Sequence, residues 1–245
     1  MTVYFVSDLH LKPERPDLTR AFLHFLQQTA QDAEALYLLG DIFEAWIGDD
    51  TPTPDLEAVF SALRQLSAKG CSLYFQHGNR DFLVGQTFAD SIGATLLSEA
   101  LVCDLPCGPA LIMHGDQLCT DDQEYMQFRS MVRNPAWQQA FLDKPLQERL
   151  AIARQLRDTS KERNAAKDDY ITDVNPQAVE QALENAGTRL LIHGHTHRPA
   201  EHQLNLADGS TATRVVLGDW DKLGWYLRVE PDGYQLVSFE IEKAA

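Results

Sequence analysis

Long apolar runs are missing from this chain of 245 residues. No stretch of about eighteen apolar residues occurs, which excludes a membrane-spanning helix. Cysteine is scarce, with Cys71, Cys103, Cys107 and Cys119 and no C-x-x-C pair. The chain enters a strand by Val3 with no basic, apolar leader, so no signal peptide is expected. The four thiols are then expected to be free in a reducing cytoplasm. Cys103 and Cys107 as half of a zinc site is the alternative, and no second pair follows to complete it. Positive charge is also short. Against 36 Asp/Glu stand 21 Lys/Arg, a net charge of −15, which argues against general nucleic-acid affinity. Internal repeats and low-complexity linkers are absent. A hydrophobic content of 44% leaves enough to bury a sizeable core, as one domain or one with an insertion.

What is present is a repeated strand ending. Leu36-Tyr37-Leu38-Leu39 stops at Gly40-Asp41. Val3-Tyr4-Phe5-Val6 leads into Ser7-Asp8-Leu9-His10. Leu73-Tyr74-Phe75 leads to Gly78-Asn79-Arg80-Asp81. Ala110-Leu111-Ile112-Met113 leads into His114-Gly115-Asp116, and Leu190-Leu191-Ile192 into His193-Gly194-His195-Thr196-His197. Short apolar runs closed by turn residues read as buried strands. In open α/β sheets ligands bind beyond the carboxyl ends of the strands, so the five endings read as one site centred on Asp41.

Between these runs the spacing turns helical, over Asp17 to Ala30, Asp55 to Ala68, Gly85 to Ile92 and Asn175 to Ala186. Alternating strands and helices predict an α/β fold. Ala100 to Leu105 and the run ending at His114 form a hairpin about Pro106-Cys107-Gly108-Pro109. Later strands fall at Thr213 to Leu217, Trp225 to Val229 and Gln235 to Ile241, with turns at Gly218-Asp219, Lys222-Leu223-Gly224 and Pro231-Asp232-Gly233. In the loop after Asp41, Trp46 and Ile47 either plug the core or touch an apolar ligand.

From Asp121 to about Lys167 the strand rhythm stops. The sequence is helical, with breaks at Asn134-Pro135 and Lys144-Pro145. This predicts a helical cap, residues 121–167, inserted in a core of residues 1–120 and 168–245. Arg129 to Lys167 carries nine Lys/Arg against four Asp/Glu, a local +5. That is either a solvated helical face or a surface for an anionic ligand or membrane. If Leu146 to Lys167 is one helix, Leu146, Leu150, Ala153 and Leu156 share a face with Arg157, Ser160, Asn164 and Lys167. That face turns from apolar to polar and suits a ligand with a greasy end and a charged end. Thr159-Ser160-Lys161-Glu162 read as a capping box would break the phase instead.

Asp8, His10, Asp41, Asn79, His114, His195 and His197 are the candidate metal ligands. Asp8-x-His10 and His195-x-His197 place both side chains on one side of an extended stretch. An oxygen and nitrogen set without thiolate suits Mn²⁺, Fe or Zn²⁺. Seven ligands exceed one ion and suit two sharing Asp41. Singly, a His at a strand end is more often a structural residue, and His24, His77, His193 and His202 are left as such. Two metals form a clamp for in-line displacement at phosphorus, with no Ser or Cys nucleophile needed.

The order D-x-H, G-D-x-x-D/E, G-N-H-D/E, H and G-H-x-H resembles the calcineurin-like metallophosphoesterase superfamily. Here it stands as Asp8-Leu9-His10, Gly40-Asp41-Ile42-Phe43-Glu44, Gly78-Asn79-Arg80-Asp81, His114 and Gly194-His195-Thr196-His197. The resemblance implies a β-sandwich flanked by helices. It implies one ion held by Asp8, His10, Asp41 and His197, and another by Asp41, Asn79, His114 and His195. One residue departs from the pattern, Arg80 standing where the superfamily has His. That His commonly protonates the leaving oxygen, and an Arg cannot give up its proton. It can clamp phosphate oxygens. The exchange favours a leaving group that needs no proton, such as a phosphate monoester with a second pKa of about 6.

The fuller stretches Ser7–Leu11, Gly40–Asp50 and Gly78–Leu83, with the basic cap, are similar to a pyrophosphatase branch of that superfamily acting in lipid A biosynthesis. That resemblance implies Mn²⁺-dependent hydrolysis of a UDP-linked diacylated sugar, with water attacking the uridine-side phosphorus. Peripheral association with an anionic inner-membrane surface is implied as well. By the same resemblance Asp41 and Arg80 are catalytic, and Asn79, Arg80, Asp122, Ser160, Asn164, Lys167 and His195 contact substrate. Trp46, Phe82, Phe128, Phe141, Ile152 and Leu156 are the candidates for an acyl chamber, each alternatively a residue of the cap core. Two other readings compete. A phosphodiesterase or phosphatase for nucleotides or phosphoproteins is disfavoured by Arg80 and the cap. A metal-dependent binding module without turnover is disfavoured by the complete ligand set.

Overall fold

A computed structural model describes residues 1–164 and 171–242, with the backbone alone over 158–164. Eleven strands and seven α-helices follow one another in these residues. The first half runs β1 (Val3–Val6), α1 (Pro16–His24), β2 (Ala35–Leu38), α2 (Glu57–Ala68), β3 (Ser72–Phe75), α3 (Gln86–Ile92) and β4 (Ala94–Leu96). Then come the hairpin β5 (Ala100–Leu105) and β6 (Gly108–Met113), and the helices α4 (Gln123–Val132), α5 (Pro135–Leu142) and α6 (Leu146–Asn164). The chain closes with α7 (Pro176–Ala186), β7 (Leu190–His193), β8 (Ala200–Asn205), β9 (Thr211–Val216), β10 (Leu223–Glu230) and β11 (Gly233–Glu240).

The strands form two sheets, ordered β11-β10-β1-β2-β3-β4 and β5-β6-β7-β9-β8. Their inner faces meet in a core that includes Phe5, Tyr37, Leu39, Ile112, Ile192, Val215 and Leu227. The outer face of the first sheet packs on α1, α2 and α3, through Phe22, Leu63 and Phe88 among others. The outer face of the second packs on α7 through Val179 and Leu183. Strands β1 and β2 are covered on both faces, which explains why they read as unbroken apolar runs. Five strands, β1, β2, β3, β6 and β7, deliver the motif loops to one end of the sandwich.

Helices α4, α5 and α6 are separated where proline removes a donor. Asn134 accepts the N–H groups of Ala136 and Trp137, and Pro135 opens α5. Helix α6 continues unbroken through Thr159–Glu162, so the capping-box reading does not hold. The buried face of α6 also differs from the expected one. Arg149 turns inward with Leu146, Ala153 and Leu156, while Leu150 is 39% exposed. Two strands escaped sequence reading. Strand β4 has three residues, and β8 is rich in polar side chains. Leu223 and Gly224, expected in a turn, lie inside β10. Gly224 pairs opposite Phe239, and a side chain there would strike the Phe239 ring.

Candidate metal centre and the groove beside it

Five described residues other than glycine have positive φ, and all five are expected ligands: Asp8 (56°), His10 (49°), Asp41 (52°), His195 (69°) and His197 (56°). Such backbone costs about 1–3 kcal/mol per residue and persists where the surroundings over-determine it. Here the loops are laced together. Asp8 donates its N–H to the Gly40 carbonyl, His10 to the Asp41 carbonyl and Gly194 to the His114 carbonyl. Gly40, at φ 81°, leaves no room for a side chain, because a Cβ there would meet the backbone of Gly78. The Arg80 N–H donates to Asp41 Oδ1 at 2.8 Å. Asp81 is fully buried behind the site and accepts the N–H groups of Gly78 (2.8 Å) and Ile42 (2.8 Å).

The side chains converge as two groups. Donor atoms of Asp8, His10 and His197 lie within 4.8 Å of one another, and so do those of Asp8, Asp41 and His114. Asn79 joins the second group. Its Oδ1 lies 3.1 Å from His114 Nε2 and 2.8 Å from His195 Nδ1. His114 Nδ1 faces the Leu39 carbonyl at 2.8 Å, which directs its other nitrogen into the site. All seven expected ligands are thus brought together, and His77 and His193 are not among them. His77 Nε2 pairs with the Val84 carbonyl and His193 Nδ1 with that of Gly194.

The charges in this cluster call for a cation. Asp8 and Asp41 are buried carboxylates. Burial pushes the Asp41 carboxyl up to about 7, against the pull of His114 and with Asp81 and Asp8 adding to the rise. Burial would raise Asp8 too, but His197, its Nε2 3.4 Å from Asp8 Oδ1, holds it well below the usual carboxylate range. His197 is lifted to about 9 by Asp8, against burial. Burial presses His10 down to about 4 and His195 to about 3, as neutral imidazoles suited to ligation. Asp8 Oδ2 accepts from Ser7 Oγ (2.6 Å) and the His195 N–H (2.9 Å), while buried Oδ1, 3.4 Å from His197 Nε2, and His10 Nδ1 make no hydrogen bond. Orphaned buried acceptors facing paired imidazoles fit divalent metal.

The expected substrate residues divide. Asn79, Arg80, Asp122 and His195 line a polar cavity with His10, Asp41, Tyr125, Thr172 and His197. Ser160 and Asn164 lie on the described backbone of α6, and Lys167 lies outside the described residues. Beside the polar cavity runs an apolar groove, open at its mouth. Trp46, Phe82, Phe128, Phe141 and Leu156 line it as expected, and Ile152 instead packs on the core behind. Trp46 and Ile47 are buried in the core, and both also border the groove. The two cavities share Asn79, Arg80 and Tyr125.

Sequence reasoning missed Tyr125, Trp137, Asp116 and Arg149. Tyr125 tilts over the His195 ring at 5.9 Å and donates its hydroxyl to Asp116 Oδ2 at 2.7 Å. Trp137 stacks on Phe141 at 5.3 Å in the groove wall. Arg149 reaches from α6 to the Ile47 carbonyl (2.7 Å) and pairs with both oxygens of Asp50. The Asp116 signal was available, since a carboxylate directly after the His114-Gly115 ending belongs to the same loop.

A family model for calcineurin-like phosphoesterases matches residues 1–199 of this chain. A curated relative from Pseudomonas paraeruginosa, named UDP-2,3-diacylglucosamine hydrolase, is 51% identical over 98% of this chain and 100% of its own. Relatives of the same name are similar in Chromohalobacter salexigens, 53% identical over 95% of this chain and 94% of their own, and in Hahella chejuensis, 48% identical over the whole of both chains.

Proposed function

The chain belongs to the calcineurin-like phosphoesterase family, and from that premise we propose that it hydrolyses the pyrophosphate of UDP-2,3-diacylglucosamine in lipid A biosynthesis. The products are UMP and 2,3-diacylglucosamine 1-phosphate. The family binds divalent metal, and two Mn²⁺ ions fit the donor set. Asp8, His10, Asp41 and His197 hold one, and Asp41, Asn79, His114 and His195 the other. When bound, the ions supply positive charge for the non-bridging oxygens and hydroxide at neutral pH.

The protein's own side chains set the rest of the reaction. Asp41 stands between the two half-sites, fixed by the Arg80 N–H. Arg80 reaches both cavities, where its guanidinium clamps phosphate oxygens. A guanidinium is no proton donor, which suits cleavage at the uridine-side phosphorus, because a departing sugar 1-phosphate needs no proton. Asn79, Asp122 and His195 contact the substrate, joined from α6 by Ser160 and Asn164 and, beyond the described residues, by Lys167. The acyl chains occupy the groove between Trp46, Phe82, Phe128, Phe141 and Leu156. No described helix is long and apolar enough to cross a membrane. The acyl tails of the substrate and the basic cap favour peripheral binding at the cytoplasmic face of the inner membrane.

The observation that carries this reading is the junction. An apolar groove and a charged polar cavity meet at Asn79, Arg80 and Tyr125, as a ligand with a charged head and greasy tails requires. The test is UMP release from UDP-2,3-diacylglucosamine and from UDP-glucosamine, each with Mn²⁺ and with EDTA. Release confined to the acylated substrate and lost with EDTA is expected. Equal release from both keeps the metal chemistry and sinks the acyl groove. No release from either overturns the assignment.

A further inference from the structure

One face of α4 carries Tyr125 and Arg129, and Arg133 follows at its C-cap, each four residues apart and therefore stacked along the helix. Each ends beside a loop that bears a ligand of the second half-site. The Tyr125 ring lies 5.9 Å from that of His195. Arg129 Nε donates to Asp116 Oδ2 at 2.7 Å, two residues beyond His114, and its Nη2 donates to Glu99 at 2.9 Å. Arg133 Nη2 donates to the Gly78 carbonyl at 2.9 Å, directly before Asn79. Asp116 is the point where these ties meet. It is 1% exposed, and its Oδ2 accepts from both the Tyr125 hydroxyl and Arg129. The first half-site is braced differently. Ser7 Oγ and the Trp220 N–H hold Asp8, and Asp219 lies 3.7 Å from His197.

We propose that Asp116 is a positioning residue for the second metal half-site, fastening α4 so that Asn79, His114 and His195 keep a common focus. The proposal rests on the two-metal reading above and adds an asymmetry to it. The half-site of Asp8, His10 and His197 is held by sandwich loops and meets α6 at one remove, through Glu44, 3.9 Å from His10 and 3.6 Å from Arg157, whereas the half-site of Asn79, His114 and His195 is braced directly by α4. Tyr125 and Phe128 of the same helix line the apolar groove. Filling the groove and filling the second half-site therefore order one element, and each favours the other.

The test is Mn²⁺ titration of the full chain, following free Mn²⁺ by electron paramagnetic resonance. The variants are Asp116→Asn, Arg129→Ala and Arg129→Lys, with kcat and KM measured beside them. Two classes of site are expected in the unaltered chain. Asp116→Asn and Arg129→Ala are expected to weaken one class about 10–100-fold and leave the other unchanged, as loss of an outer-shell partner does. Their kcat falls while KM for substrate holds, and Arg129→Lys recovers part of the loss. Arg129 reaches the surface, so its variants keep the test valid if Asp116→Asn does not fold. Two unchanged classes in the folded variants, or equal weakening of both, overturn the positioning role while the two-metal reading stands. Fewer than two ions in the unaltered chain overturn both.

Discussion

The metal centre and the apolar groove share three residues yet are built on opposite plans. The centre takes its side chains from five strand-end loops, five of them on left-handed backbone, pinned by loop-to-loop hydrogen bonds. The groove takes its walls from α4, α5 and α6 and from the Trp46 and Phe82 loops, by ordinary apolar packing. Strained loops held by a stiff sandwich give a fixed focus for charge. The helices are joined to the sandwich by side-chain ties rather than by backbone lacing. Arg149 and Asp50, Arg157 and Glu44 (3.6 Å), and the Asp116 cluster are such ties.

This contrast can be broken from either side. Asp41→Asn removes the carboxylate between the half-sites, and turnover is expected to fall by more than about 100-fold, the upper end of outer-shell losses. Metal titration should show the loss, and KM for any substrate still turned over should change little. Trp137→Ala empties part of the groove wall. It is expected to raise KM for the acylated substrate about tenfold, as one lost apolar contact surface of 1–2 kcal/mol would, with metal binding intact. A loss of metal binding in Trp137→Ala would show that the two plans are not separable.

The smallest effect concerns the tie between them. Burial would raise the Asp116 carboxyl, but His114 and Arg129 outweigh it and hold the group well below the usual range. A depressed carboxylate contributes stability that is present above its unfolded pKa of about 3.9 and is lost as pH falls through the folded value. Arg129→Ala should therefore lower the thermal midpoint most near neutral pH. The difference from the unaltered chain should shrink below about pH 4. A constant difference across that range would assign Arg129 a packing role only.

Much of the centre was legible because each motif is contiguous. Asp8-Leu9-His10 and His195-Thr196-His197 carry their spacing in the sequence, and a strand covered on both faces announces its end by a change from apolar to polar. Helices α4, α5 and α6 and the breaks between them were legible from Asn134-Pro135 and Lys144-Pro145. What escaped is tertiary. Arg149 faces inward because Asp50 and the Ile47 carbonyl await it across 99 and 102 residues, so Leu150 turns to solvent. Tyr125 reads as one more helical aromatic until Asp116 and His195 are seen against it. Strand β8 carries Glu201, His202 and Gln203 and is ordered by pairing with β9 rather than by its own composition.

The most direct test of the whole account is a crystal structure of the chain with Mn²⁺ and 2,3-diacylglucosamine 1-phosphate, with anomalous data at the manganese edge. The account predicts two anomalous peaks about 3.5–4 Å apart on either side of Asp41. The phosphate should sit at Arg80, with the acyl chains between Phe82, Trp137, Phe141 and Leu156. A single peak, or acyl chains lying outside that groove, would contradict it.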